Sequence, residues 1–122
     1  MLPILIEDCN YNDLKGKCGV YALIDENDVP YIGSTKDLFQ RIRFHNACFN
    51  DIIKKGYNAF ENPQVNKSVL RGMRFRLVVL AAFAIGSVKT EELHEIEQYY
   101  IILAGGLTAT YNVLAVDGFH SR

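Results

Sequence analysis

The chain has 122 residues, 49% of them hydrophobic and 22% charged, with nine Gly, three Pro and a net charge of −1. This balance excludes collagen-like, disordered and miniature disulfide-dependent proteins, and it predicts one domain over residues 1–122 whose core needs no metal or disulfide. The longest nearly uncharged apolar stretch, residues 77–85, is far shorter than the roughly 20 residues of a membrane span, so we expect no membrane segment.

The first fifteen residues predict an irregular amino-terminal arm. Their apolar beginning lacks the basic residues of a secretory signal and runs directly into acidic residues. Cys9, Cys18 and Cys48 are an odd number at irregular spacings, unlike a secreted disulfide framework. We therefore expect a reducing, cytoplasmic compartment. A zinc site that combines these cysteines with His45 is disfavoured, because the sequence has no close Cys-x2-Cys pair.

A β-hairpin and a long helix are predicted next. Residues 18–34 consist of two apolar, β-prone runs separated by a polar turn. Ser34 and Thr35 are typical helix N-caps, and apolar residues then recur at multiples of three to four residues until Gly56. This pattern predicts a helix over residues 36–55.

The second half of the chain predicts two further helices and a strand. After a loop, residues 64–70 have the spacing of a short helix. Residues 74–83 alternate basic and apolar side chains before becoming continuously apolar, which predicts the central strand of a sheet. Thr90 is a candidate N-cap for a helix over residues 91–104, and residues 108–122 are expected to add an edge strand or wrap the core. This element order predicts an α+β fold, a small antiparallel sheet with helices packed on it.

Positive charge is concentrated in the middle of the chain. Residues 36–76 hold nine bases against three acids, a net +6, whereas the other residues hold four bases against eleven acids, a net −7. A basic segment in an otherwise acidic chain indicates a polyanion bound on one side. A solvated helix face of ordinary composition is the alternative explanation.

One carboxylate occupies an unusual place in the sequence pattern. Glu97 shares the apolar stripe of the last predicted helix with Leu93 and Ile101, at intervals of four residues. Burial of an ionised carboxylate is costly unless the group is paired or binds a metal ion. The spacing leaves both explanations open: a metal ligand, or an ion pair with Arg41 or Arg74.

Arg41 and His45 form a second candidate pair, because residues four apart share one face of a helix. A guanidinium group binds phosphate through two parallel hydrogen bonds, and an imidazole exchanges a proton near neutral pH. Phosphodiester chemistry requires both functions. Such a pair is also common on ordinary protein surfaces.

The sequence Gly19-Val20-Tyr21, followed after nine residues by Tyr31-Ile32-Gly33, resembles the paired motif of the GIY-YIG nuclease superfamily, with Val in place of the first Ile. The resemblance continues through the Arg41 and His45 pair to Glu97 and Tyr111-Asn112, and it covers about residues 18–113. It implies the fold of that family, a three-stranded antiparallel sheet flanked by helices. It also implies a metal-dependent DNA endonuclease that leaves 5′-phosphate and 3′-hydroxyl ends.

The resemblance further implies a role for each matching residue. Glu97 is expected to be the single protein ligand of a divalent ion, Mg2+ or another such as Mn2+, and Arg41 to hold the scissile phosphate. Tyr21, assisted by Tyr31 or His45, is expected to orient or deprotonate the attacking water. Supporting hydrogen bonds are expected from Asn112. The remaining candidates are expected to contact nucleic acid: Gly33, Lys36, Arg43, Lys67 and Arg71.

Each of these residues also has a purely structural explanation. Tyr21 and Tyr31 are candidates for a cross-strand aromatic pair, and Gly33 for a residue that the strand-to-helix turn requires. His45 is a candidate cap, and Asn112 a candidate Asx-turn residue. The loop after the first helix lacks the second His that the family often has there, and His94 and His120 match no motif.

A single basic segment predicts weak, salt-sensitive binding to DNA. We therefore expect a homo-oligomer, a partner protein or recognition of DNA structure to provide targeting. The alternative function is a catalytically silent module of the same fold that binds nucleic acid or a protein partner.

Overall fold

The computed structural model describes residues 4–56, 60 and 62–112. It contains strands β1 (Ile4–Leu5), β2 (Lys17–Ile24), β3 (Pro30–Thr35) and β4 (Arg76–Ala84), and helices α1 (Leu38–Lys55), α2 (Pro63–Leu70) and α3 (Thr90–Leu103). The strands pair antiparallel in the order β1-β4-β2-β3. The predicted α+β class and three-stranded antiparallel sheet are confirmed as β4-β2-β3, which the two-residue β1 extends.

The sheet lies between two helical layers. Along β2 the side chains alternate, so that Tyr21 and Leu23 join the core beneath α1 and α2 while Val20 and Ala22 join the core beneath α3. On β3 the same alternation sends Tyr31 towards α1 and its neighbours towards α3. Side chains of consecutive strand residues therefore pack in different cores, one on each face of the sheet.

The strand predicted to be central, β4, does lie inside the sheet, between β1 and β2, but it is less buried than predicted, and β2 is the middle strand of the three long ones. β2 is buried from Cys18 to Leu23, whereas in β4 only Leu77 is buried and the other residues are partly or largely exposed. β2 has hydrogen-bonded neighbours along both edges, while β4 pairs on its outer side with β1 through Arg76 and Leu77. The apolar composition of β4 therefore does not make it the most buried strand, because β2 is buried more completely.

A β-bulge adjusts the pairing of β2 with β4. Val20 lies opposite Ala81 and Tyr21 lies opposite Val79, which leaves Leu80 as the extra residue. The Leu80 carbonyl accepts a hydrogen bond from the Tyr100 hydroxyl of α3, with an O···O distance of 3.2 Å. A Cβ at Gly19 would overlap the Ala81 carbonyl oxygen, so this close approach requires glycine.

The helices lie within two residues of their predicted limits, but two caps differ. Asp37, not Ser34 or Thr35, caps α1, and its carboxylate accepts a hydrogen bond from the Gln40 N–H at 3.1 Å. At α3 the cap position is Lys89, whose N–H donates to the Glu92 carboxylate at 3.0 Å. The helices of the described ranges lack the apolar length that a bilayer crossing demands.

The end of the described chain packs along the outer edge of β3. Tyr111 donates its N–H to the Pro30 carbonyl at 2.8 Å, and the Asn112 carboxamide bonds both the N–H and the carbonyl of Ile32, at 3.0 and 2.7 Å. Asn112 thus pairs with β3 as a neighbouring strand would. The rest of the predicted tail, residues 113–122, lies outside the described residues.

Candidate active site

Tyr21 and His45 form the buried centre of the candidate site. Both side chains are almost fully buried, and the Tyr21 hydroxyl lies 2.6 Å from His45 Nε2. Tyr31 and Phe60 border the imidazole, with ring centroids 6.3 and 4.7 Å from it. The register places Tyr21 opposite Gly33 and Tyr31 opposite Leu23, so the two tyrosines are not directly opposed. Their shared neighbour is His45.

The protonation of this pair follows from its surroundings. Burial and then the neighbouring Arg41 charge lower the pKa of His45 to about 3. The imidazole is therefore neutral near pH 7, and one of its two nitrogens carries the ring proton. That tautomer determines whether the Tyr21 hydroxyl or Nε2 donates the hydrogen bond between them. Nδ1 is buried and has no hydrogen-bond partner among the described residues. The pair is an oriented phenol held by a neutral base.

Because the His45 imidazole is buried, the free energy of unfolding depends on pH. The unfolded chain protonates His45 near pH 6.5, whereas the folded protein does so only near pH 3. Between these values the unfolded state binds the extra proton, so the free energy of unfolding falls as the pH falls, by up to about 1.4 kcal/mol per pH unit. Urea denaturation between pH 3.5 and 7 measures this slope, and His45→Gln is expected to reduce it. Equal slopes in both proteins would contradict a buried neutral imidazole.

Gly33 provides the space for the Tyr21 ring. A Cβ on Gly33 would lie 2.6 Å from the Tyr21 hydroxyl oxygen and 2.7 Å from the carbon that bears it, closer than packed side chains approach. Because Tyr21 is buried and bonded to His45, its ring has little freedom to move aside. This reason differs from the strand-to-helix turn expected from the sequence. Gly33 of the second motif is therefore required by the position of the Tyr21 side chain of the first motif.

Two clefts open beside the turn between β3 and α1. The first has a volume of about 700 Å³ and borders the Tyr21–His45 side, and its lining residues are Thr35, Lys36, Asp37, Gln40, Arg41, Phe44, His45 and Phe60. The second, of about 200 Å³, borders the α3 side, and its lining residues are Ser34, Thr35, Lys36, Arg41, Thr90, Leu93 and His94. Arg41 and Lys36 border both clefts. Positive charge therefore lies where the two clefts meet.

Glu97 lies behind the second cleft. Its side chain is 3% exposed, and the Ser34 hydroxyl donates to its carboxylate with an O···O distance of 2.7 Å. Ser34 and Leu93, one turn before Glu97 on α3, are part of the cleft lining. Arg74 forms an ion pair at the surface with Glu7. The ion pair of Glu97 with Arg74, which the sequence left open, is therefore not the arrangement observed.

The other candidate residues lie in different parts of the structure, and only some of them line the two clefts. His94, which matched no motif, lines the second cleft. Arg43 lies over the Phe39 ring, 5.1 Å from its centroid, beside a separate hollow. Lys67 and Arg71 are exposed on and just after α2, and neither lines the two clefts. Contact of these last three residues with nucleic acid stays a prediction. His120 lies outside the described residues.

Two residues of the site were not predicted from the sequence to belong to it. Ser34 was expected to cap a helix, yet it is the donor to Glu97. Its place two residues after Ile32, and hence on the α3 side of β3, was the available signal. Phe60 packs on both His45 and Tyr31. The signal there was an aromatic residue within the loop predicted between the first two helices.

Glu97 and Ser34 carry oxygen atoms of the kind that a hard divalent cation binds. The described residues contain no group of three His, Cys, Asp or Glu side chains placed to hold a metal ion. Glu97 offers one carboxylate beside the Ser34 hydroxyl. Mg2+ accepts one or two carboxylates, retains several waters and takes phosphate oxygens. Glu97 is thus suited to a cation whose other ligands are water and phosphate.

Comparison with known families gives one match over most of the chain. The family described as the GIY-YIG catalytic domain matches residues 17–112. These limits enclose both motif strands, α1, α3 and the Tyr111-Asn112 pair. Comparison with the curated proteins and with the solved structures gives no match.

Proposed function

The chain belongs to the GIY-YIG family, whose members are of the nuclease type, and we propose that it is a DNA endonuclease that uses Mg2+ or Mn2+. The carrying observation is the position of Arg41. It borders both clefts, between the Tyr21–His45 pair and the Ser34–Glu97 pair. A phosphate bound there would lie between a group that orients water and a group that binds a cation.

Arg41 is the proposed ligand of the scissile phosphate. Its planar guanidinium donates paired hydrogen bonds to two phosphate oxygens, and its charge stabilises the additional negative charge of the transition state. Lys36, exposed at the edge of both clefts, is placed to contact the same strand. Because Lys36 and Arg41 line both clefts, a phosphate is favoured at the boundary between the clefts rather than deep within either one.

The Tyr21–His45 pair is proposed to orient the attacking water. In this proposal His45 Nδ1 carries the imidazole proton, the Tyr21 hydroxyl donates to Nε2, and the phenol oxygen accepts a hydrogen bond from the attacking water. Arg41 contributes to the low pKa of His45. A bound phosphate offsets that charge and raises the pKa of the imidazole, which makes His45 a better acceptor for the phenol proton when substrate is present.

Glu97 is the proposed cation ligand, with Ser34 orienting its carboxylate. A divalent ion held there would neutralise charge on the leaving oxygen of the phosphodiester. Asn112 supports the site from a distance by fixing β3, the strand that carries Tyr31, Gly33 and Ser34. One carboxylate gives weak affinity in the absence of DNA, so cation and nucleic acid are expected to bind cooperatively. Targeting by a second copy or a partner protein is part of the same proposal.

A cleavage assay tests the proposed function. The purified chain is incubated with supercoiled, duplex, single-stranded and branched DNA in Mg2+, in Mn2+ and in EDTA. We expect cation-dependent products whose ends are 5′-phosphate and 3′-hydroxyl, read by ligation and by end-labelling. Binding without cleavage across all substrates and cations would instead support the catalytically silent module.

A further inference from the structure

The first cleft carries an aromatic side chain that the proposed hydrolysis does not use. Phe44 is 61% exposed and lines this cleft. It follows Arg41 by three residues on α1, so the two side chains share one face of the helix about one turn apart. An aromatic surface thus lies next to the proposed phosphate ligand.

The cleft is also larger than a phosphate group requires. Its volume of about 700 Å³ lies within the range of about 300–1,000 Å³ typical of pockets that bind whole small molecules. Buried Phe60 forms one apolar wall, and the Phe44 ring lies beside the imidazole, with centroids 6.2 Å apart and planes inclined by 50°. Isolated exposed apolar residues are normal. Phe44, however, borders a large cleft that has the positively charged Arg41 side chain at its edge.

We propose that the first cleft binds an unpaired nucleobase of the same DNA strand whose phosphate Arg41 holds, with the base stacked on Phe44. This inference rests on the proposed function and specifies its substrate class. Every base has a π-face, so stacking tolerates any sequence. A base within a duplex is stacked on its neighbours and reaches such a cleft only if it is extruded. The preferred substrates are therefore single-stranded or branched DNA rather than continuous duplex.

The polar lining agrees with a nucleotide as the occupant. Gln40 is exposed one turn before Phe44, and its carboxamide is a donor and an acceptor for a base edge. Asp37 is the one acidic residue of the lining, and its carboxylate accepts the Gln40 N–H as the cap of α1. Lys36 and Arg41 provide the positive charge for the backbone. Stacking, edge contacts and charge thus occur in one cleft.

The chain has no Trp, so Phe44→Trp introduces one Trp at the proposed stacking surface, whose fluorescence is excited at wavelengths that the seven Tyr do not absorb. Titration with an oligothymidylate in EDTA, where no cleavage occurs, is expected to quench this fluorescence, and the matched continuous duplex is expected to quench it far less. Ile53→Trp is the control, because Ile53 is 66% exposed on the same helix but does not line the first cleft. Equal quenching by single strand and duplex, or equal quenching in the Ile53→Trp control, would overturn the proposal.

A second variant separates stacking from folding. Phe44→Ala at an exposed position is expected to lower single-strand affinity about 5- to 150-fold, with duplex affinity unchanged and Phe44→Tyr restoring most of the loss. Unchanged single-strand affinity in Phe44→Ala contradicts the proposal. Cleavage by the wild type without quenching in the Phe44→Trp variant would reject the base site alone, whereas quenching without cleavage would reject the nuclease function alone.

Discussion

Replacement of Arg41 by Ala is expected to lower the cleavage rate by about 10³-fold or more, the range found when an arginine or another hydrogen-bond donor to transition-state charge is removed. The melting temperature is expected to change little, because Arg41 is partly exposed and lines two open clefts rather than the core. Single-turnover rates at saturating DNA isolate the chemical step from binding. Arg41→Lys is expected to recover only part of the rate, since a lysine keeps the charge and loses the bidentate geometry.

Arg43 offers a matched control for Arg41. It lies two residues further along the same helix, is exposed, and contacts the Phe39 ring away from both clefts. Arg43→Ala removes the same charge and is expected to change the cleavage rate by less than about 10-fold, through weaker general attraction of DNA. Similar losses in both variants would show that charge alone, and not the placement of Arg41, supports the reaction. A large fall in melting temperature with little loss of rate would show a structural arginine instead.

Much of this architecture follows from local sequence patterns. The apolar runs of β2 and β3 and the helical spacing of α1 and α3 are encoded in consecutive residues, so the elements and their order were predictable. The approximate neighbourhood of Arg41 and His45 followed from their spacing on one helix. Asp37 was missed as a cap because Ser34, Thr35 and Asp37 are all favourable cap residues. The choice among them depends on where β3 ends. Because β3 continues to Thr35, Ser34 and Thr35 are strand residues and Asp37 is the cap.

The contacts that complete the site were not predictable, because they join residues far apart in the chain. Glu97 meets Ser34 across 63 positions, and Tyr21 meets His45 across 24. The need for glycine at residue 33 depends on the register that places it opposite Tyr21. The partial exposure of β4 depends equally on which elements pack against the two faces of the sheet. Pairing partners of this kind are set by tertiary packing rather than by local preference.

The fold also explains why the candidate groups lie on two sides of the sheet. Tyr21 and Tyr31 face α1, whereas Ser34 and Glu97 belong to the α3 side. The two groups come near each other only where β3 ends and α1 begins, and Arg41 occupies that place. A phosphodiester that lies across this turn would contact both sides at once. Under the proposed function, the water-orienting and cation-binding groups would therefore be separated until a substrate contacts both.

Replacement of Glu97 by Gln is expected to abolish cleavage and to leave the chain folded. The carboxamide keeps an oxygen to accept the Ser34 hydroxyl, so packing and this hydrogen bond survive. Loss of the negative charge removes the cation ligand and is expected to lower the rate by more than about 10³-fold. The same loss relieves the desolvation of a buried carboxylate, so the variant is expected to unfold in a cooperative transition like the wild type. Urea denaturation and single-turnover cleavage measure the two effects.

Loss of activity in a variant that still folds distinguishes a cation ligand from a structural acid. Glu95→Gln removes an exposed carboxylate two residues away on α3 and is expected to leave both rate and stability near the wild type. In Glu97→Gln, calorimetric titration of Mg2+ into the protein mixed with an uncleavable phosphorothioate DNA is expected to lose the heat that the wild type shows. If Glu97→Gln instead unfolds at much lower urea, the carboxylate stabilises the fold through a charged partner, because breaking a buried ion pair costs about 3–5 kcal/mol. Inactivity would then follow from loss of structure, and the assignment of Glu97 as the cation ligand would be wrong.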